Sequence, residues 1–166
     1  MVASAWAGLP ALEARWGEMG RAMPPTTSEI EQFVDTFARH WADPDGGLER
    51  LMHPGATLRV AGARVPYAFE EAEQFVAGVK HGVPDIGLRV LDWAARDASV
   101  FTEWEMSGTL GGRRVSWQGI NRNTLVGSKS VAAISCWDRW SLLEDVEPER
   151  PPLDLARELI RIQARA

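Results

Sequence analysis

Residues 85–142 read DIGLRVLDWAARDASVFTEWEMSGTLGGRRVSWQGINRNTLVGSKSVAAISCWDRWSL, and the fold is decided there. The hydrophobic pattern has a period of two, that of an extended chain whose successive side chains point to opposite faces. Four strands are expected, over 85–96, 99–110, 113–126 and 129–142. The breaks between them, Arg96-Asp97-Ala98, Gly111-Gly112 and Gly127-Ser128, are suited to hairpins. Strands this long, joined this tightly, form one antiparallel meander, and that meander must bend.

Upstream the period lengthens to that of a helix. Ile30, Phe33, Val34, Phe37, Ala38 and Trp41 make one broad apolar stripe, and Ser28 with Glu31 offers a capping box at its start. Asp43-Pro44-Asp45-Gly46-Gly47 ends that helix. A short helix is expected over 48–52, a strand near 56–61, and a further helix over 69–80 with Ala72, Phe75, Val76 and Val79 on its buried side. Helices followed by a long antiparallel sheet define an α+β architecture. The helices pack on the concave face, so the space between them and the sheet is a cone.

The chain ends lie outside this plan. Residues 1–25 read as a helical appendage, interrupted at Pro10; residues 26–147 form the main domain; residues 148–166 are a proline-rich linker and a short helix. At 166 residues the length fits a single domain with a proper core. The net charge is −5 without a basic cluster, which argues against a nucleic-acid partner. Cys136 is the sole cysteine, which rules out internal disulfides and cysteine-built zinc sites. No apolar run reaches membrane-spanning length and no signal peptide is evident, so the expected location is the cytoplasm. His40, His53 and His81 are scattered, without carboxylates at ligand spacing, so no metal is expected. A cation near the C-terminal end of the first helix suits the helix dipole, which accounts for His40.

Tryptophan sets this sequence apart. There are eight, five of them between Trp93 and Trp140, against a single tyrosine, Tyr67. Trp104 and Met106 share one face of their strand, and Trp117 and Asn121 share one face of the next. Together with Trp41 and Trp137 they form either a packed core or the wall of a pocket for a flat hydrophobic ligand. Asn121 can orient a carbonyl or hydroxyl. Tyr67 can reach the mouth of the cone, or simply anchor its loop. Asp138, between Trp137 and Trp140, is the best acid–base candidate, since a carboxyl desolvated beside a cavity has a raised pKa. The structural alternative is an ion-paired Asp138 that closes the end of the sheet.

Several segments then carry a family resemblance: Asp43-x-x-Gly-Gly-Leu48, His53-Pro-Gly-Ala-Thr57, Glu103-Trp104-x-Met-Ser-Gly108, Trp117-Gln-Gly119, and Ser135-Cys-Trp-Asp138 followed by Leu142 and Leu143. With the order of elements, residues 28–143 resemble the nuclear transport factor two superfamily, and within it the SnoaL-like polyketide cyclase branch. The resemblance implies a cone-shaped α+β barrel that needs no cofactor. It implies an acid–base aspartate eight residues after Ser130, which is Asp138. In that superfamily the outer face of the sheet makes a dimer contact or meets water; a homodimer through it is expected here, because the helices cover only the other face of long strands with apolar residues on both sides. Two related chemistries do not carry over. Ketosteroid isomerases place a base aspartate where Leu58-Arg59-Val60 stands, and limonene-type epoxide hydrolases place Arg-x-Asp where Glu103-Trp104-Glu105 stands. The expected function is a cyclase, isomerase or dehydratase acting on a hydrophobic cyclic or aromatic small molecule. A non-catalytic module that binds a hydrophobic ligand or dimerises is the alternative.

Overall fold

The computed structural model describes residues 24–43, 46–63 and 65–146. The N-terminal appendage and the C-terminal linker and helix expected from the sequence fall almost wholly outside these residues. Helix α1 spans Thr27–Ala42, a single 3-10 turn spans Leu48–Arg50, and strand β1 spans Met52–Val60. Helix α2 (Phe69–Gly82), strands β2 (Gly87–Arg96), β3 (Ser99–Leu110), β4 (Arg113–Val126) and β5 (Lys129–Trp137), and a short helix α3 (Arg139–Val146) follow. The sheet is open, curved and mixed, in the order β1-β5-β4-β3-β2.

The meander forms as its periodicity demands, with all of β2–β5 antiparallel. Its turns use the conformations their residues allow: Gly111 and Gly112 both take positive φ, 60° and 81°, the pair a tight hairpin requires. The fifth strand makes the sheet mixed, because β1 pairs with β5 in parallel, from Thr57↔Ala132 to Val60↔Ser135. Hairpin signals say nothing about such a pair, since its strands are joined only through the rest of the domain. As an edge strand β1 tolerates Pro54, which falls within its irregular stretch between Met52 and Thr57.

Several boundaries differ from expectation: the short helix expected over 48–52 is only the turn Leu48–Arg50, and β1 begins at Met52 rather than near 56. Helix α1 is capped by Thr26 and Glu29 rather than by Ser28 and Glu31: Glu29 N–H donates to Thr26 Oγ1 at 3.3 Å, and Thr26 N–H donates to Glu29 Oε2 at 2.8 Å. Both pairs satisfy the capping pattern. The earlier start adds helical residues at no further nucleation cost. The last strand stops at Trp137 instead of 142, and α3 takes over. Asp138 followed by Ser141 is an N-cap pattern, and it ends the strand there.

The core lies between the concave face and the helices. Ile30, Phe33, Val34, Phe37 and His40 are the buried face of α1; Ala72 and Val76 are that of α2. Helix α1 lies against β2, α2 against β1 and α3 against β4. Among the described residues no helix is long and apolar enough to cross a membrane, and no group of three potential metal-ligating His, Cys, Asp or Glu side chains gathers.

Candidate active site

Register places the inward side chains of β3, β4 and β5 in rows across the concave face. Met106 stands opposite Trp117. The next row is Trp104, Gly119 and Trp137. Then come Thr102, Asn121 and Ser135, and beyond them Val100, Asn123 and Ala133. The face therefore passes from aromatic rings through a polar row to a second amide.

Gly119 holds this arrangement together. A Cβ at this position would stand 2.3 Å from the Trp104 ring and 2.7 Å from the Cys136 carbonyl oxygen. Real carbon atoms do not approach so closely, so the indole of Trp104 occupies the space a side chain would take. Trp104 is only 2% exposed, and its Nε1–H donates to Asn121 Oδ1 at 3.0 Å. That bond fixes which end of the Asn121 amide is which. Its oxygen is engaged by the indole, and its NH2 group is left to donate.

The cone holds two adjoining chambers. The outer, about 270 Å³, is walled by Trp104, Met106, Trp117, Trp137 and Leu142 from the sheet side and α3, and by Phe37, Trp41, Phe75 and Val79 from the helices. The inner, about 60 Å³, lies among Phe33, His40, Met52, Leu58, Asn123 and Ala133. Phe37, Trp41, Phe75, Asn121 and Ser135 line both. Trp41 also forms part of a wider cleft of about 620 Å³ on the flank of α2.

The inner chamber contains buried polar atoms without partners. Among the described residues neither ring nitrogen of His40 has a hydrogen-bond partner, nor do Trp41 Nε1 and Asn123 Nδ2. His40 is 4% exposed, and its pKa is lowered from 6.5 to about 4, chiefly by burial and secondly by the Lys80 ammonium; Asp43 and Glu49 offset this in part. It is therefore neutral at pH 7. His40 is therefore not the helix-dipole cation expected from the sequence; its ring is buried. Lys80 serves the helix end, its Nζ donating to the carbonyls of His40 (2.8 Å), Asp43 (2.7 Å) and Gly46 (3.2 Å).

The residues singled out from the sequence separate into two groups. Trp41, Trp104, Met106, Trp117, Trp137 and Asn121 come together around the outer chamber. Tyr67 and Asp138 do not line either chamber. Tyr67 pairs its backbone with Leu58 and stacks its ring on Phe75, with centroids 5.5 Å apart, as a loop anchor would. Asp138 is exposed rather than desolvated between rings. Its carboxylate accepts from Ser141 Oγ at 2.5 Å and Ser141 N–H at 3.3 Å, the bonds of a helix cap. Alternation gives the reason: Trp137 points inward, so the next residue points out. The adjacent Arg139 lays its guanidinium over the Trp137 ring, 5.1 Å from the centroid, and donates to the Ala61 carbonyl. His40 and Ser135 are the site residues that the sequence reading missed. The signal for His40 was its spacing, since 33, 37 and 40 fall on one helical face.

A helix-covered α+β cone enclosing a tryptophan-walled cavity defines the structural class. The family follows from the sequence: the profile of the SnoaL-like domain matches residues 30–132, and the chain belongs to that family. Solved structures share the fold at low identity. One, from Jannaschia sp. CCS1 and provisionally named a SnoaL-like polyketide cyclase, is 18% identical with a TM-score of 0.65, over 78% of this chain and 97% of that one. IdmH from Streptomyces antibioticus, provisionally named a polyketide cyclase, is 16% identical with a TM-score of 0.62, over 70% and 97%. AclR from Streptomyces galilaeus, provisionally named a hydroxylase, is 18% identical with a TM-score of 0.60, over 82% and 91%. Among curated proteins, none matches the sequence significantly.

Two measurements check this geometry. Gly119→Ala must push the Trp104 indole away and break its bond to Asn121, because the Cys136 carbonyl behind it is backbone and cannot yield. The expected loss is about 1–3 kcal/mol in urea unfolding, the cost of overpacking a core, with a shift of the Trp104 indole N–H resonance. A variant of unchanged stability and spectrum would refute the close approach.

The second concerns pH. His40 has a folded pKa of about 4 and an unfolded value of 6.5, so between these the unfolded chain binds the extra proton. Stability contributed by the neutral ring is complete above pH 6.5 and falls as pH drops towards 4, by up to roughly 3 kcal/mol. Urea melts at pH 7 and pH 4.5 should show a smaller acid loss for His40→Leu than for the unmodified protein. Equal losses would place the titrating groups elsewhere.

Proposed function

We propose that this protein is a cofactor-independent acid–base enzyme that acts on a hydrophobic cyclic or aromatic small molecule held in the cone. The observation that carries the reading is the cavity itself: an apolar aromatic wall with one amide, Asn121, oriented by Trp104 so that its NH2 group remains a donor. The two chambers together fall near the lower end of the roughly 300–1,000 Å³ usual for small-molecule sites. Trp41, Trp104, Met106, Trp117 and Trp137 would hold the rings. Asn121 would stabilise the negative charge that develops on a substrate oxygen as solvent water takes the proton from the adjacent carbon, the step that begins enolisation or aldol-type cyclisation. The names of the structural relatives, two of them provisionally called polyketide cyclases, agree with a substrate of this kind. The second reading, a non-catalytic binding module, is favoured by one observation: among the described residues that line the chambers there is no carboxylate. Asp138, the aspartate singled out by sequence, is proposed to act as the cap of α3.

The test is proton exchange in a bicyclic ketone. 2-Tetralone in D₂O, followed by NMR, should incorporate deuterium next to its carbonyl faster with the protein than in buffer. Asn121→Leu should slow that exchange by about 10²-fold, the usual effect of removing an oxyanion donor. Asp138→Asn should leave both the rate and the melting temperature nearly unchanged, because asparagine caps helices as well as aspartate. Loss of exchange in a stably folded Asp138→Asn would return the acid–base role to Asp138. Binding without exchange would favour the module.

A homodimer through the convex face belongs to the same proposal. Phe101 and Ile120, on adjacent strands, are 42% and 53% exposed there, and bare apolar groups on a sheet favour a second cover. Sedimentation should give a dimer at micromolar concentration, and Ile120→Arg should give a monomer. A monomeric unmodified protein would sink this part of the reading.

A further inference from the structure

The inner chamber offers an unusual set of atoms. Trp41 Nε1 and Asn123 Nδ2 are donors, and a neutral His40 ring supplies one donor and one acceptor; all are buried, and none has a partner among the described residues. Buried polar atoms are almost always satisfied, so a chamber with several that are not points to a missing occupant. Every other wall of the chamber is apolar or, at Ser135 and Asn121, shared with the outer chamber. The volume, about 60 Å³, holds a small polar group but no ring system.

We propose that His40 is a specificity-determining residue that reads a hydroxyl or enol oxygen in the inner chamber of the cone, so that a fused-ring ligand enters oxygen first. This rests on the cavity reading above and names the end of the ligand that the inner chamber selects. The unprotonated ring nitrogen of His40 accepts the hydroxyl hydrogen, and Asn123 Nδ2 donates to the same oxygen. The rings stay behind in the outer chamber among the tryptophans. The low basicity of His40 fits this role, since only the neutral ring can accept. Its position fits also. On the chamber side it stands with Phe33, Phe37, Leu48 and Leu51, which cannot satisfy it; on its other side it borders a polar cleft shared with Arg39, Asp43 and Arg50, and no hydrogen bond from these reaches its ring among the described residues. Ordered water is the other way to fill these bonds, and it would give no preference among aromatic ligands.

The experiment compares 2-naphthol with 2-methylnaphthalene, which has the same rings and a methyl group in place of the hydroxyl. Affinities are measured by NMR titration on the full chain, with ¹⁵N-labelled histidine to observe the His40 ring. The unmodified protein should bind 2-naphthol at least about 10-fold more tightly, because the methyl group leaves buried polar atoms unpaired. The His40 ¹⁵N shifts should move with 2-naphthol and not with the hydrocarbon. In His40→Leu the ratio should fall to near one, with the affinity for 2-methylnaphthalene kept or improved. That variant should melt higher by a few degrees, since it removes an unsatisfied buried group. If it fails to fold, His40→Gln, which keeps a donor and an acceptor, serves in its place and should retain part of the preference. A preference that survives in His40→Leu, a complete loss in His40→Gln with the fold intact, or His40 shifts indifferent to 2-naphthol would overturn the assignment. Equal binding of both aromatics by the unmodified protein overturns it while leaving the cavity reading intact. Binding of neither overturns both.

Discussion

The close approach of Trp104 to the backbone at Gly119 governs the rest of the site. One strand lacks a side chain, so the indole of its neighbour lies across it, and the indole N–H reaches the next row and holds Asn121. A larger residue at 119 would displace a ring packed on both sides. That would free the amide to turn over and exchange its donor and acceptor ends. A single absent methyl group therefore sets both the shape of the outer chamber and the polarity of its one amide.

The inner chamber is held differently. Among the described residues the His40 ring, Trp41 Nε1 and Asn123 Nδ2 have no protein partners, and the desolvation of His40 works against folding. A buried imidazole without hydrogen bonds is a poor core residue, and leucine would fill the same place at lower cost. The helix end nearby has no need of its charge, because Lys80 binds three carbonyls there. An unsatisfied imidazole in a region otherwise lined with phenylalanine and leucine is the pattern expected where binding, rather than folding, sets the residue.

Shared fold does not fix shared chemistry here. The family resemblance directs attention to the end of the last strand, where Asp138 stands. The geometry directs it to the interior, where the polar groups include two amides, an imidazole and the Ser135 hydroxyl. The distinction comes from one residue of alternation. With Trp137 turned into the cone and Asp138 beginning a helix, the carboxylate faces water and binds Ser141. The one irregularity between β4 and β5 lies at the opposite end, between Thr124 and Leu125, so the register from Ala132 to Trp137 is unbroken.

The elements of the meander, the helices that cover it and the aromatic wall are all legible in the order of residues. These depend on periodicity and turn residues, which are local: Trp104, Met106, Trp117 and Asn121 follow from alternation, and Gly111-Gly112 from the φ values a tight turn needs. The start of α1 was less legible, because Thr26 and Ser28 each begin an equally good capping pattern. The parallel pairing of β1 with β5, the inward turn of His40 and the outward turn of Asp138 were decided by tertiary structure. Each depends on which elements come to face each other across the sheet. Only that arrangement fixes whether a given side chain meets water, a helix end or the interior of the cone.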